Sequence, residues 1–375
     1  MILFSPVFLL IDAAALSKKA ELISAGRLYV DPAIRLPFPT GRSTAGPGAG
    51  GRSIALAFFG TRVKLGISRK RPDGDGDRPQ NFELVFLPDP AAAATKSCGL
   101  ACGCGRYAIL KDGMPFIDEV KIISDAYHAP EQCFLNLRNR CVFDCAFCNS
   151  PALESDFLES YSPSDFAAIV DKAIKEGGAK SVAFTSSVPS SVDEQVGLMA
   201  ECVRLVRQKH PDIEIGVEPL CLDLTQVQKL KDAGADELKL NLQSYDESVF
   251  SRVCPNIDRK RLLATVEGAS AIFGRGKVTS NIIYGLGESD ECVLEGVKWL
   301  AERGVVANLR ALRVNDGNRE RLTGALSFTP EKPSPERMEG LAETHAKILA
   351  DYGLSTSTFK TMCFPCKCCD LEVIL

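Results

Sequence analysis

Three cysteines on one short stretch carry the most chemistry in this chain: Cys141, Cys145 and Cys148, in Arg-Cys-Val-Phe-Asp-Cys-Ala-Phe-Cys-Asn. Spaced C-x3-C-x2-C, their thiolates can each take a different iron of a cubane cluster. An all-protein site would use four thiolates. Three leave one iron with an open position, where a small molecule can bind and react. Two plainer readings compete. A structural zinc site usually shows two C-x2-C pairs, and a redox C-x-x-C needs no third cysteine.

Two further cysteine groups flank the triad. Near the C-terminus, Cys363-Phe-Pro-Cys366-Lys-Cys368-Cys369 is too tight for all four thiols to hold one metal, so two or three of them should join other ligands. Ahead of the triad, Cys98-Gly-Leu-Ala-Cys102-Gly-Cys104-Gly lies on a glycine-rich stretch. Together the two groups point to an auxiliary iron–sulfur cluster, with zinc as the alternative, because C-x2-C spacing serves both metals. Cys133, Cys202, Cys221, Cys254 and Cys292 are scattered, and most of them read as buried small hydrophobes. His128, His210 and His345 show no ligand spacing.

The elements that must position the triad follow from hydrophobic periodicity. Strands are expected over 132–139, 181–185, 213–220, 237–242, 278–284 and 307–314. Helices fill the intervals at 162–177, 192–210, 223–233, 258–272 and 288–303, and a long helix runs to 352. Ser162, with Asp165 three residues on, is placed as one N-cap; Ser334, followed by Pro335, is another. Six βα units in series predict an α/β protein with a parallel sheet covered by helices, best drawn as a partial (β/α)6 barrel. Chemistry in such barrels sits at the carboxyl ends of the strands, where the cysteine loop after the first strand falls. A doubly wound sheet is the runner-up, weakened by the missing phosphate-binding glycines after that strand.

Residues 1–125 have a different texture and read as a small β-rich N-terminal region. Residues 126–320 are the core, and 321–375 a C-terminal helix with a cysteine-rich tail. Within the first region, 37–51 is a Gly/Pro loop. Residues 53–68 are β-prone and 81–87 look like their partner strand. The charged stretch 69–79 between them reads as a hairpin tip, since its Asp-Gly-Asp-Gly-Asp lacks the later glutamate of a calcium loop. The apolar start 1–11 lacks a basic lead, is broken by Asp12 and is too short to span a bilayer. A buried strand or misassigned start codon fits it better than a signal peptide.

At 375 residues, 45% hydrophobic and 25% charged, the chain has the composition of an ordinary soluble protein. A net charge of −4 gives no reason to expect nucleic acid or an anionic membrane as partner. Its 15 cysteines cluster at C-x-x-C-like spacings, which favours metal binding in a reducing cytoplasm over a disulfide framework.

The triad, with the aromatic Phe147 before its last cysteine, resembles the signature of the radical S-adenosylmethionine (radical SAM) superfamily, and the resemblance covers about 131–315. It implies a [4Fe-4S] cluster on Cys141, Cys145 and Cys148 whose open iron chelates SAM. It also implies reductive cleavage to methionine and a 5′-deoxyadenosyl radical, which takes hydrogen from an unactivated carbon. A ferredoxin- or flavodoxin-type donor would supply the electron, and the substrate would be a small molecule or a protein-bound group. The family's Gly-Gly-Glu-Pro-like turn is replaced here by Thr185-Ser186-Ser187-Val188-Pro189, which makes Ser186 and Ser187 candidates for the methionyl amine; a helix N-cap region is the alternative. Asn241 and Gln243, alternating onto one strand face, suit the ribose and carboxylate of SAM. Glu218, an acid in a strand expected to be buried, is a site candidate because buried carboxylates need partners. Tyr284 and Gly285 begin a stretch similar to the family's adenine contact, and Arg310 and Arg313 on the sixth strand are candidates for a carboxylate or substrate. The extra cysteines look most like biotin and lipoyl synthases, which implies sulfur insertion from a second cluster. Peptide or protein modification and methyl transfer are the enzymatic alternatives, and a zinc-binding scaffold the non-enzymatic one.

Overall fold

The computed structural model describes residues 13–373 apart from 39, 41–42, 44–45, 70–80, 90–104, 125–127 and 130. The apolar start, the charged stretch after Arg69, and Cys98, Cys102 and Cys104 therefore lie outside the described residues.

An N-terminal helix, α1 (Ala13–Ala25), was not anticipated; it precedes six strands. These are β1 (Arg27–Val30), β2 (Ser53–Phe58), β3 (Thr61–Ser68), β4 (Phe82–Pro88), β5 (Gly105–Lys111) and β6 (Met114–Ile123). They close a barrel in the order β1-β3-β2-β6-β5-β4. Its interior is apolar, with Leu28, Leu56, Val63, Leu84 and Ile109 fully buried. The pairing expected between 53–68 and 81–87 is corrected. Phe59 and Gly60 both adopt positive φ (43° and 74°), which folds 53–68 back on itself as the hairpin β2–β3. β1 then lies parallel between β3 and β4, and the antiparallel partner of β4 is β5.

The second sheet is the parallel one. After a short edge strand, β7 (His128–Ala129), come β8 (Gln132–Asn136), β9 (Ser181–Thr185), β10 (Glu214–Glu218), β11 (Glu237–Lys239), β12 (Val278–Tyr284) and β13 (Val305–Ala311). They lie side by side in chain order, all parallel except β7, as an open arc. The helices are α2 (Pro163–Lys175), α3 (Val192–Lys209), α4 (Leu224–Asp232), α5 (Glu247–Val253), α6 (Arg259–Phe273), α7 (Asp290–Glu302), α8 (Arg319–Leu326), α9 (Pro335–Asp351) and α10 (Cys363–Cys366). Their starts are set by local side chains. Ser162 and Asp165 form a reciprocal capping box, and Ser191, Asp223, Ser289 and Ser334 each accept a backbone N–H of the first turn. None of the helices among the described residues is long and apolar enough to cross a membrane.

The C-terminal tail threads into the sheet's inner face. Glu214, Glu237 and Gln132 are the first residues of their strands, and each holds the tail at that rim. Lys360 pairs with Glu214. Glu237, fully buried, accepts from Lys360 N (3.1 Å), Thr361 N (2.9 Å) and Thr361 Oγ1 (2.7 Å). Gln132 bonds both ways with Met362, at 2.9 and 2.5 Å. Room for this comes from Gly216, where a Cβ would lie 2.1 Å from Thr361 Oγ1.

Candidate active site

The cysteine loop follows β8 and so stands at the carboxyl mouth of the parallel sheet. It is stitched to the loop after β9 by Val142 N to Val188 O (2.9 Å) and Ser187 N to Arg138 O (2.9 Å). It is tied to the end of α5 by Ala146 N to Val253 O (2.9 Å). Phe147 is buried beneath it. Burial raises the Cys141 thiol and pushes Cys148 up to about 11. Cys145 is raised further still, first by a hydrogen bond with the Cys254 thiol and then by burial. Cys254 is thus no mere apolar filler: it touches a triad member.

As thiolates, Cys141 and Cys145 would each raise Cys148, so the three sulfurs stand within electrostatic reach of one another. A set of soft donors that repel as anions is one that cationic irons stabilise, and the donors fit the cubane group. Among the described residues no three His, Cys, Asp or Glu side chains converge as a single metal ion requires. A cubane asks for less convergence, since each thiolate takes its own iron.

Below the mouth, the inner face carries a polar network. Glu218 ends β10 and accepts from Asn241 Nδ2 (2.7 Å) and Lys239 Nζ (3.2 Å). Lys239 is 2% exposed and also reaches Cys363 Sγ at 3.3 Å. Burial alone would lower its pKa. The negative charge available from Cys363 and Glu218 outweighs that and holds the ammonium above the ordinary lysine range. Arg310 donates to Cys363 Sγ (3.2 Å) and pairs with Asp370 (3.0 Å). Asn308 links Asp370 (3.2 Å) to Asn281 (2.8 Å). Burial raises the Cys363 thiol against the pull of Lys239 and Arg310. Arg310 Nε and Asp370 Oδ1 are buried without a partner among the described residues.

The other expected positions divide. The Ser186 hydroxyl is spent on Ser187 O (2.7 Å). Ser187 stays half-buried in the turn that pairs with the cysteine loop. Gln243 does not simply alternate with Asn241: β11 ends at Lys239, and Gln243 takes φ 66°, which turns the chain. Tyr284 shares the strand face of Ile282, which packs near Gly296 of α7, and Arg337 of α9 stands 5.7 Å over its ring. That is the helix side of the sheet, opposite Asn281. Gly285 N donates to Glu288 (2.7 Å), closing a turn that needs its φ of 102°. Arg313 is held through its carbonyl by Asn318 (2.8 Å).

Of the tail cysteines, Cys363 faces Lys239 and Arg310. Cys366 and Cys368 hydrogen-bond to each other among Phe134, Ala183 and Met362, with Cys369 packed alongside. All four are therefore on the inner face, although they do not meet at one point. Lys239, Asp370, Asn318 and Arg321 were not foreseen. Lys239 had a signal: Glu237, Lys239 and Asn241 repeat at period two in an otherwise apolar strand.

Fold and loop together define a parallel α/β arc with a three-cysteine loop at its carboxyl mouth. Residues 135–300 match the model of the Radical SAM superfamily, so the chain carries a radical SAM domain. It is 29% identical over 154 residues to a biotin synthase from Hydrogenobaculum sp. (strain Y04AAS1), covering 40% of this chain and 45% of that one. It is 27% identical over 174 residues to a GTP 3′,8-cyclase from Paenarthrobacter nicotinovorans, covering 45% and 47%. The FeFe-hydrogenase maturase HydG from Carboxydothermus hydrogenoformans superposes with a TM-score of 0.48 at 20% identity, over 59% of this chain and 52% of that one. The chain spans about half the length of the curated relatives it matches.

Proposed function

We propose that this protein is a radical SAM enzyme that abstracts hydrogen from a substrate carbon. The observation carrying the reading is the C-x3-C-x2-C loop fixed at the carboxyl mouth of a six-stranded parallel arc. Cys141, Cys145 and Cys148 would hold a [4Fe-4S] cluster. With SAM bound, that group supplies one low-potential electron and a hydrogen-abstracting radical. The chain's own contribution is to place and shield. The Ser187–Val188 turn, stitched to the cysteine loop, and the Glu218–Asn241 pair below it offer polar groups to SAM. Phe147 excludes water beneath the loop. Lys239 and Arg310 fix charge on the inner face, and the unpartnered Arg310 Nε and Asp370 Oδ1 suit a polar substrate. The electron donor in this reading is a ferredoxin- or flavodoxin-type protein.

Incubated anaerobically with SAM and dithionite, the reconstituted protein should release 5′-deoxyadenosine and methionine in equal amounts. A protein that leaves SAM intact under those conditions sinks the reading.

Within this class, the four tail cysteines on the inner face favour sulfur insertion from an auxiliary cluster over peptide modification or methyl transfer. Alanine at Cys363, Cys366, Cys368 and Cys369 together should then strip the second centre and leave about four irons per chain on the triad. Unchanged iron and sulfide in that variant would return the tail cysteines to packing.

A further inference from the structure

Helix α8 holds the cysteine loop from outside the sheet through side chains that make no use of the thiols. Arg321 donates from Nη1 to Cys145 O at 3.1 Å and from Nη2 to Cys148 O. One turn earlier, Asn318, fully buried, donates from Nδ2 to Phe147 O at 3.0 Å and to Arg313 O at 2.8 Å. Three carbonyls of the four-residue segment Cys145–Cys148 are thus bound by two side chains, one within α8 and one at its N-cap. The same guanidinium lies 3.6 Å from Asp144. Asp144 is 64% exposed on its side chain and Arg321 26%; the two charges act on Cys145 in opposite senses, the carboxylate the more strongly, so removing the guanidinium leaves that carboxylate unopposed.

We propose that Arg321 is a positioning residue that also tunes the triad's cluster, fixing the loop that carries Cys145 and Cys148 and setting a cation beside it. Reduction adds an electron to the group that the loop holds. A nearby positive charge stabilises that more negative state, so Arg321 makes the cluster easier to reduce. The five-donor planar guanidinium is what allows two carbonyls to be held at once; a lysine keeps the charge but offers a point donor. This inference rests on the triad holding a cluster, and iron bound by the wild type is the separate check on that reading.

The test is an EPR-monitored redox titration, without SAM, of reconstituted wild type, Arg321→Lys and Arg321→Gln. Glutamine keeps an N–H donor for the loop's carbonyls and loses the charge. It should lower the reduced-to-oxidised ratio at a fixed potential about tenfold, a midpoint about 59 mV more negative. Lysine should keep the wild-type midpoint. Glutamine and wild type titrating together at equal iron content would overturn the charge role. Failure of both variants to load iron, or a lysine variant shifted as far as glutamine, would reduce Arg321 to a structural tie and equally overturn it. Iron absent from the wild type itself would remove the cluster reading and this inference with it.

Discussion

Alanine at Cys141, Cys145 and Cys148 together is expected to remove about four irons per reconstituted chain and abolish SAM cleavage. The fold should survive. The three thiols lie half-buried on a loop, and that loop is anchored by backbone bonds to Val188 and Val253 and by the side chains of Asn318 and Arg321. Iron and acid-labile sulfide, measured with far-UV circular dichroism, separate the outcomes. About four irons lost and about four retained would place a second cluster elsewhere, with the tail cysteines as its first candidates. About four lost and none retained would leave one cluster in the protein. Iron content equal to wild type would mean that the triad is not the site.

The second large effect is expected at Glu237, which lies at the rim where the tail enters. Its carboxylate is fully buried and serves two backbone amides and one hydroxyl of the tail, with Lys277 at 3.3 Å as its ionic partner. Glu237→Ala strands those donors in a site water does not reach. Breaking a buried charged network by removing one partner costs about 3–5 kcal/mol. The tail should loosen before the sheet unfolds, because its apolar packing is split mainly between two small clusters, Met362, Cys366 and Cys368 in one and Phe359 and Phe364 in the other. Two readouts follow: a fall in the urea midpoint, and faster alkylation of Cys366 and Cys368, both buried in the wild type. Glu237→Gln keeps an acceptor oxygen and should fall between alanine and wild type. An unfolding free energy for the alanine variant within about 1 kcal/mol of wild type, with the two thiols still protected, would show that the tail is held by other contacts.

These effects bear on function because the tail closes the amino end of the sheet while the cysteine loop caps the carboxyl end. Between them stands the charged Glu218–Lys239–Cys363–Arg310–Asp370 network. In the proposed enzyme it is the wall that a substrate would meet.

Local signals were legible in the sequence. The six parallel strands and the helices after Ser162, Ser191, Asp223, Ser289 and Ser334 were readable because periodicity, caps and breakers act within a few residues. The triad was readable for the same reason, since its ligand spacing lies within eight residues of one loop. Short helices with little apolar face, such as α5 and α8, left no such mark. The hairpin at Phe59-Gly60 was hidden inside a continuous β-prone run.

What only the tertiary structure decided is which distant groups meet. Lys239 and Cys363 are 124 residues apart and touch; Arg321 holds carbonyls 173 and 176 residues before it; Glu237 and Thr361 form the tail's anchor. No local pattern encodes such contacts, because they depend on how the strands stack and on where a tail with its own weak structure finds buried donors and acceptors. The sequence by itself determined the type of chemistry, through a ligand set contained in one loop. The surroundings of that chemistry came from packing, because burial and charge pairing are properties of the assembled interior and of no single segment.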